Sequence, residues 1–417
     1  MSAPAPAAAP RCRSCGAALT RTVLDLGEQP LANSYLTAEQ LAAGNEPAYP
    51  LHVRVCDDCL LVQVDDVVPA EEIFSDYAYF SSYSDSWVEH ARRYAHFAAE
   101  RLGLGAGSLV VEVASNDGYL LQHFVALGVP VLGIEPAANV ADTARAAGIP
   151  TETRFFGEQC ARDLVARGLR ADLIVGNNVL AHVPALNDFV EGLSILLADE
   201  GVITIEVPHL LELVRHVEFD TIYHEHFSYY SVLALQPLFA RHGLRLFDLE
   251  QLPTHGGSLR LWVAHNGSSH ATTPNVERIR NLELDAKLDR PEGYAGFADR
   301  VARVIEGMRT FVAEQRDAGR LVAAYGAAAK GNTLLNACGI TSDDIAFVVD
   351  RNPNKQDHYL PGSHLPILGP EAVAERRPDF LVILPWNLRD EIVEQMSEIR
   401  TWNGRFVVPI PDVTVLD

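Results

Sequence analysis

The chain has 417 residues, of which 48% are hydrophobic and 21% are charged, a composition typical of globular proteins. Its length exceeds what one hydrophobic core usually organises, so two or three domains are expected. The formal net charge of −22 at pH 7 excludes broad binding to nucleic-acid backbones, which requires extended basic surfaces.

No apolar run reaches the roughly 20 residues that a membrane-spanning helix needs. The first ten residues are rich in Ala and Pro, and they lack the basic start and apolar core of a secretion signal. We therefore expect a cytoplasmic protein with reduced cysteines and without nucleic-acid or membrane partners.

Two Cys-x-x-Cys pairs stand near the start of the chain, Cys12 with Cys15 and Cys56 with Cys59. Each pair can present two thiolates from one tight turn, and two such turns form a tetrahedral sulfur site for zinc. The 40 residues between the pairs exceed the spacing of a simple zinc ribbon and indicate a hairpin or small insertion. A redox dithiol is the alternative, but the pattern favours a structural zinc ion.

The segment from Ile73 to Tyr94 is rich in aromatic residues. From Ser86 onward, apolar side chains recur at helical spacing, which predicts a helix with most of its aromatic residues in the core. Tyr77 and Tyr79 precede this helix and are candidates to line a substrate pocket, with core packing as the alternative.

A β-branched run from Ser108 passes into a small polar turn and then into an apolar helix. This βα pattern is typical of a close approach between backbone and ligand, but the turn lacks the Gly-x-Gly-x-x-Gly motif for a dinucleotide pyrophosphate. The next predicted strand ends in Glu135, where a carboxylate can accept two hydrogen bonds from a ribose diol. The pattern therefore fits an adenosine ligand without phosphates, and S-adenosylmethionine (SAM) is the natural candidate. The residues expected to contact it are Glu112, Ala114, Ser115, Asn116, Asp117, Gly118, Glu135, Pro136, Asn177 and Asn178.

The loop from Asp220 to Ser231 follows a strand that ends near His209 and holds six titratable side chains within eight positions. Ligands of doubly wound sheets bind after strand carboxyl ends, so this loop is the predicted catalytic loop. The alternative is a polar loop whose histidines bond to backbone. His182 follows another strand end and is a further active-site candidate. The six side chains are Tyr223, His224, Glu225, His226, Tyr229 and Tyr230.

Two later turns have the composition of anion-binding sites. The first is His255-Gly256-Gly257 with Ser258 and Arg260, for which an ordinary hairpin turn is an equal alternative. The second opens a C-terminal α/β unit after a linker and a long helix, where Lys330 at a helix start suits phosphate; a solvated lysine is the alternative. We expect a small parallel sheet in this unit.

These pieces together resemble the bacterial sugar C-methyltransferases that act on nucleotide-linked keto-deoxysugars in antibiotic pathways. The resemblance runs nearly from end to end and rests on the two cysteine pairs and five further stretches. These stretches are Leu26-Gly-Glu-Gln-Pro-Leu-Ala-Asn33, Glu112-Val-Ala-Ser-Asn-Asp-Gly118, Thr221-Ile-Tyr-His-Glu-His-Phe-Ser-Tyr229, His255-Gly-Gly-Ser258 and Tyr325-Gly-Ala-Ala-Ala-Lys-Gly-Asn332. One departure is Ala114, where glycine is expected; alanine should be tolerated there if its φ stays negative.

The resemblance implies an α/β protein with three parts. They are an N-terminal zinc-binding module (1–75), a class I Rossmann-like SAM methyltransferase domain (76–265) and a Rossmann-like domain after a linker helix (266–417). A dTDP-linked ketosugar would lie between the last two, and a monomer or homodimer is expected. The substrate-binding candidates are Tyr79, Tyr223, His255, Gly256, Ser258, Arg260, Lys330, Asn332, Thr333 and Arg351.

The implied reaction is methylation of the carbon next to the keto group, C3, through an enolate. The resemblance suggests His226 as the base and Glu225 as a group that orients the loop. Tyr223 and His182 are candidates to stabilise the oxyanion, and Tyr77 to close over the sugar. Spacing alone leaves His224 open as the base. A C5-methyltransferase or an epimerase would use the same enolate, whereas a dehydrogenase or a non-catalytic scaffold fits the motifs less well.

Overall fold

The computed structural model describes residues 10–65, 67–68 and 80–416 of the chain. Tyr77 and Tyr79 lie outside the described residues. Three β-sheets organise the described chain, and they contain four, seven and six strands.

The first sheet forms around the two cysteine pairs. Strands β1 and β2 pair antiparallel and are joined through a short helix, α1, so the predicted hairpin between the cysteine pairs is confirmed. Strand β9 comes from the predicted catalytic loop and pairs with β3, where Val62 faces Tyr229. The sequence analysis did not anticipate this pairing. The elements are β1 (Arg21–Gln29), α1 (Ala38–Ala43), β2 (Tyr49–Val55), β3 (Val62–Val64) and β9 (Ser228–Tyr229).

The second sheet has the strand order β10-β11-β8-β7-β4-β5-β6. Its five strands from β6 to β8 are parallel, and β11 inserts antiparallel beside β8. Every residue of β4 and β5 is buried, as expected for strands covered by helices on both faces. The strands are β4 (Val110–Val113), β5 (Val131–Ile134), β6 (Thr151–Glu152), β7 (Ala171–Asn177), β8 (Leu197–Pro208), β10 (Leu244–Leu252) and β11 (Ser258–His265).

Among the described residues, seven α-helices lie within the chain segment that forms this sheet, and the connections reverse direction between β4 and β7. This crossover is where an open α/β sheet binds its ligand, and the fold is the predicted Rossmann-like methyltransferase fold. The helices are α2 (Asp85–Leu102), α3 (Leu121–Ala126), α4 (Ala138–Ala146), α5 (Glu158–Ala166), α6 (Leu186–Leu196), α7 (Leu210–His216) and α8 (Val232–Arg241).

The third sheet has the order β14-β13-β12-β15-β16-β17, which is the Rossmann order with the crossover between β12 and β15. The predicted parallel sheet is thus extended by β14 and by an antiparallel edge strand, β17. Its strands are β12 (Val322–Tyr325), β13 (Val348–Val349), β14 (Ile367–Leu368), β15 (Phe380–Ile383), β16 (Arg405–Val408) and β17 (Thr414–Leu416). Helix α9 (Pro274–Asp285) packs against β10 and α8 of the second sheet. The helices of the third sheet are α10 (Phe297–Asp317), α11 (Ala329–Cys338), α12 (Glu371–Arg376) and α13 (Arg389–Gln395).

The predicted catalytic loop is buried where these units meet. Its apolar side chains Ile222 and Phe227, and Phe219 just before it, belong to one hydrophobic cluster with residues of the first and third sheets. Because strand pairing and packing cross from one unit to another, the predicted boundaries after residues 75 and 265 stay predictions. Among the described residues, no helix combines the length and apolar character needed to cross a membrane.

Helix α9 is fastened to the second sheet by a buried carboxylate. Glu283 accepts hydrogen bonds from His209 Nε2 at 2.8 Å, from Val232 N at 2.8 Å and from Leu233 N at 3.0 Å. The Glu283 carboxylate therefore binds His209, which follows β8, and caps the start of α8. Glu283 is fully buried.

We predict that Glu283→Ala lowers the free energy of unfolding by about 3–5 kcal/mol, because it leaves His209 and two backbone donors buried without an acceptor. The matched control is Glu277→Ala in the same helix, where the side chain is exposed and pairs only with Arg280; that change should cost under about 0.5 kcal/mol. Chemical denaturation measures both, and equal effects would contradict the anchoring role.

Candidate active site

The four cysteines of the two Cys-x-x-Cys pairs converge on one point, and their sulfur atoms all lie within 4.8 Å of one another. Two sulfur pairs, Cys12 with Cys59 and Cys15 with Cys56, are 3.5 Å apart. Four sulfurs at about 2.3 Å from a zinc ion would be separated by about 3.8 Å, so the cluster fits tetrahedral zinc.

Two matching backbone turns present these sulfurs. In each turn the carbonyl of the first cysteine accepts a hydrogen bond from the fourth residue beyond it, Gly16 or Leu60, and both of these residues have left-handed φ. Gln63 also donates to Cys12 Sγ at 3.2 Å. The contact between the Cys12 and Cys59 thiols lowers the pKa of Cys12 and raises that of Cys59, so the two sulfurs share one proton that a bound zinc ion would displace.

The predicted SAM loop lies at the carboxyl end of β4. Glu135 accepts hydrogen bonds from Asn116 N at 3.0 Å and from Ala137 N at 2.8 Å, which orient its carboxylate at the end of β5. Burial raises the pKa of Glu135, and these two backbone donors oppose that rise. Ser81 and Ser82 donate backbone hydrogen bonds to the Asn116 and Asp117 side chains, so the segment before α2 covers the loop.

Several buried polar atoms around this loop have no hydrogen-bond partner among the described residues. The pKa of Glu112 is raised well above its usual range by burial and by the charges of Asp117 and Glu135. A bound cation would stabilise these carboxylates, and SAM carries a sulfonium and an ammonium group, so the site fits this cofactor. The atoms are Glu112 Oε2, Ser115 Oγ, Asp117 Oδ1, Asn177 Nδ2 and Asn178 Oδ1.

The expectation that Ala114 keeps a negative φ is wrong. Its φ is 55°, and Asn116 and Gly118 are also left-handed at 50° and 81°. A left-handed alanine costs about 1–2 kcal/mol. The hydrogen bonds that Ser115 N donates to Ile134 O and that Asn116 N donates to Glu135 hold the loop in this shape despite the cost.

His226 and Tyr223 form the centre of the catalytic loop. The Nδ1 atom of His226 lies 2.8 Å from the carbonyl of Thr221, which can only accept, so Nδ1 carries the proton. Nε2 of the neutral ring is then an acceptor, and the Tyr223 hydroxyl donates to it at 2.6 Å. Burial, followed by the neighbouring His182, keeps the pKa of His226 well below its usual range. His182 packs against His226 with ring centroids 4.7 Å apart.

His224 and Glu225 point away from this pair. His224 Nε2 donates to the carbonyls of Tyr49 and Pro50 at 3.3 Å, towards the first sheet. Glu225 is buried and accepts from Asn33, also on the side of the zinc module. Of the two histidines in the loop, His226 is therefore the one that faces His182, which follows the carboxyl end of β7.

Lys330 reaches the catalytic loop from the third sheet. Its pKa is lowered by burial, while the charges of Asp220 and Glu218 oppose that effect. Trp386 follows β15, lies 4.9 Å below the Lys330 ammonium and donates from Nε1 to Asp220 at 2.7 Å. Burial raises the pKa of Glu218 to about 8 and that of Asp220 to about 6, so Asp220 is the main counter-charge of Lys330 at neutral pH.

The turn at His255 lies between the second and third units. A Cβ atom on Gly256 would come within 2.4 Å of Glu218 Oε1 and 2.6 Å of the Trp386 ring, so this close approach requires glycine. Burial, and then the charge of Lys330, lowers the pKa of His255 to about 4. His255 also borders a cavity of about 560 Å³, a size suited to a small organic ligand.

Other predicted substrate residues have partners within the protein. Arg260 is buried and pairs with Glu206 at 3.3 Å. Asn332 donates to the Ala32 carbonyl, and Thr333 donates to the Ile222 carbonyl at 2.9 Å. Of the other substrate candidates, Ser258 donates to Thr254 O and Arg351 is exposed after β13. Pro136, which was predicted to contact SAM, is half-buried beside Glu135.

The structure adds residues that the sequence analysis did not select. His90 of α2 donates to buried Glu206 at 2.9 Å and lines the cavity with Trp87.

Asn33 lies in a stretch that carries the family resemblance, but its partner, Glu225, is 192 residues away in the sequence. No spacing rule joins positions so far apart.

Three family models match the chain. They are a zinc binding domain over residues 12–74, a methyltransferase domain over residues 87–249 and a C-methyltransferase C-terminal domain over residues 253–411. Together with the cysteine cluster and the Rossmann-like fold, they define a SAM-dependent methyltransferase with a zinc-binding module.

C-methyltransferase NovU of Streptomyces niveus is 38% identical over 405 residues, which cover 97% of this chain and 96% of that protein. The chain therefore belongs to the C-methyltransferase family with a zinc binding domain, and it is a SAM-dependent C-methyltransferase. A ubiquinone biosynthesis O-methyltransferase of Methylobacterium sp. (strain 4-46) is 34% identical over 89 residues, 20% of this chain and 34% of that protein. Magnesium protoporphyrin IX methyltransferase from Synechocystis PCC 6803 with bound SAM has a TM-score of 0.35 at 12% identity, covering 48% of this chain and 100% of that chain.

We predict that wild-type protein holds about one zinc ion per chain and that Cys56→Ser lowers both zinc content and thermal stability, because a structural site stabilises the fold that creates it. Cys160→Ala is the control, since Cys160 is a buried free thiol outside the cluster. Metal analysis with thermal unfolding checks this, and full zinc occupancy in a variant lacking all four cysteines would refute the assignment.

We predict that Glu135→Ala weakens SAM binding by about 1.5–3 kcal/mol, roughly 10- to 150-fold in Kd, because the variant loses the charged acceptor for the ribose. Glu152→Ala is the matched control: Glu152 ends the next strand and pairs with Arg167 and Arg154. Calorimetry measures both affinities, and an unchanged Kd in Glu135→Ala would contradict the ribose contact.

Proposed function

We propose that the chain methylates C3 of a dTDP-linked 4-keto-deoxysugar in the biosynthesis of branched deoxysugars for antibiotics. The observation that carries the proposal is the tautomer of His226: Nδ1 is committed to the Thr221 carbonyl, and Nε2 is an acceptor facing the Tyr223 hydroxyl. A base with one defined acceptor atom suits removal of a proton from carbon. The NovU relative, a C-methyltransferase, supports carbon as the methylated atom.

In the proposed reaction, His226 Nε2 accepts a proton from the carbon beside the keto group, and the bonding electrons stay in the enolate. The keto group makes this proton acidic. The Tyr223 hydroxyl exchanges its bond to His226 for one to the keto oxygen, where negative charge develops. SAM, when bound, supplies the methyl group that the resulting carbanion attacks. The Thr221 carbonyl stabilises the imidazolium, because its hydrogen bond with Nδ1 strengthens when the ring becomes charged.

Neutral histidines are a condition of this mechanism. Burial lowers the pKa of His182 to about 4 and that of His226 well below its usual range, so both rings are uncharged near pH 7. Because its pKa is low, His226 is a weak base, and it can remove the proton only if the enolate is stabilised. We assign that stabilisation to the neighbouring Tyr223 and His182. Neutral rings also avoid repulsion of the SAM cation.

We place the nucleotide sugar in the cleft beside His255, where the 560 Å³ cavity extends between α2 and the segment after β15. Arg93 and Arg260 line this cavity, but Arg260 is paired with Glu206. Arg93, together with Lys330 close to His255, is therefore the cation that we propose to meet a diphosphate. Lys330 would exchange Asp220 for phosphate, and this contact stays a prediction. The Arg93 side chain is 68% exposed, and its ion pair with Glu89 is long at 3.9 Å, so its charge is available to a ligand.

The discriminating experiment is exchange of ketosugar hydrogens with deuterated water, followed by NMR without SAM. We predict that His226→Asn lowers exchange and methyl transfer by about 10²–10⁴-fold while zinc content and SAM affinity are kept. His224→Asn is the matched control and should change the rate only modestly, because His224 faces Tyr49 and Pro50.

Loss of exchange in His224→Asn but not in His226→Asn would reverse the assignment of the base. The position of deuterium separates C3 from C5 methylation. Exchange with inversion, but without methyl transfer when SAM is present, would identify an epimerase instead.

A further inference from the structure

The carboxylate of Glu225 contacts the zinc module through one side chain. Asn33 Nδ2 lies 2.7 Å from Glu225 Oε2 and 2.9 Å from Oε1, and it is the only hydrogen-bond donor to this carboxylate among the described residues. Glu225 is 4% exposed, so water provides little compensation. An ionised carboxylate in such a place needs a donor.

We propose that Asn33 is a positioning residue for methyl transfer: it keeps the Glu225 carboxylate charged and fixed, and through Glu225 it orients the His182–His226 pair. The first part concerns only this chain's own groups. The second part rests on the proposed function, in which His226 is the base.

Asn33 is linked to the third unit through its neighbour Tyr35. The Tyr35 hydroxyl lies 3.2 Å from Asn33 Oδ1 and donates to the Ala327 carbonyl at 2.7 Å. Lys355 Nζ donates to the same carbonyl at 2.7 Å and lies over the Tyr35 ring. Because an ionised carboxylate can only accept, Glu225 requires Asn33 to present its Nδ2, and Oδ1 then faces the Tyr35 hydroxyl.

Glu225 connects to the reaction centre through its backbone. His182 hydrogen-bonds with the Glu225 backbone, and its ring packs against His226. A displaced Glu225 would therefore move the peptide that holds His182. Asn33 thus contacts Glu225, Glu225 contacts His182, and His182 contacts the proposed base His226.

The carboxyl group of Glu225 changes its protonation state near neutral pH. Burial raises its pKa to about 7, while Asn33 and the charge of Lys355 act in the opposite direction. The other titratable groups around it are Tyr35 and His182, and Asp350 partly neutralises Lys355 at 3.9 Å. Loss of the Asn33 donor should raise the pKa further, so that Glu225 becomes protonated within the working pH range.

The first test is an infrared titration of wild-type protein and Asn33→Leu, which removes the donor without making room for water. The carboxyl band of Glu225 is identified by its loss in Glu225→Gln. We expect the Asn33→Leu midpoint to rise by about 1–2 pH units, the effect of one hydrogen bond to a charged group. Asn187→Leu is the matched control, because Asn187 also links the zinc module to the second unit but donates to the Arg13 and Ser14 carbonyls.

The second test is the pH dependence of methyl transfer to the ketosugar, with zinc content confirmed for each variant. We expect the acidic limb of the Asn33→Leu profile to move upward with the infrared midpoint, and activity to recover at high pH. A purely structural role would lower the rate by one factor at every pH. That result, or an unchanged midpoint, would overturn the proposal.

The two hypotheses fail in distinguishable ways. A shifted midpoint without methyl transfer to any ketosugar by the wild-type protein refutes the proposed substrate but supports the action of Asn33 on Glu225. Should Asn33→Leu fail to fold, Tyr35→Phe removes the hydroxyl that faces Asn33 Oδ1 and ties Tyr35 to the Ala327 carbonyl, so that the Asn33 amide is held less firmly. It should raise the midpoint by a smaller amount, and the absence of any rise would overturn the proposal.

Discussion

The arrangement of the three units depends on hydrogen bonds that hold the loop of residues 220–231, which has almost no regular secondary structure of its own. Residues 220–231 contain one two-residue strand, so their buried peptide groups need partners from elsewhere. Strand β3 of the zinc module pairs with Tyr229, Leu210 N of the second unit donates to the Tyr230 carbonyl, and Thr333 of the third unit donates to the Ile222 carbonyl. Each of the three units therefore supplies hydrogen bonds without which this loop would have no single conformation.

Burial at this junction changes the chemistry of the loop as well as its position. In a low-dielectric environment the neutral form of each group is favoured, so the histidines lose protons and the carboxyl groups retain them. His226, His182 and Glu218 follow this rule. Burial also raises the pKa of Asp220, but only to about 6, so this carboxylate stays charged beside Lys330 at neutral pH. Reactivity then depends on a few directed hydrogen bonds rather than on net charge.

The sequence predicted those parts whose signals are local. Cysteine spacing predicted the zinc cluster, and alternating strands and helices predicted both Rossmann-like units. Contacts between distant segments left no such signal: β9 adds a strand to the first sheet, and Asn33 meets Glu225 across 192 positions. Ala114 was mispredicted because its φ depends on hydrogen bonds to Glu135 and Ile134, which composition does not reveal.

The pairing of β9 with β3 also limits how this protein can be divided. An excised zinc module would expose the backbone donors and acceptors of β3, an open sheet edge of the kind that promotes aggregation. A module exchanged between relatives would have to match the foreign residues 228 and 229 in twist and side-chain packing. The N-terminal module is thus not an independent cassette, and recombination points within the family are better sought outside the β3–β9 pair.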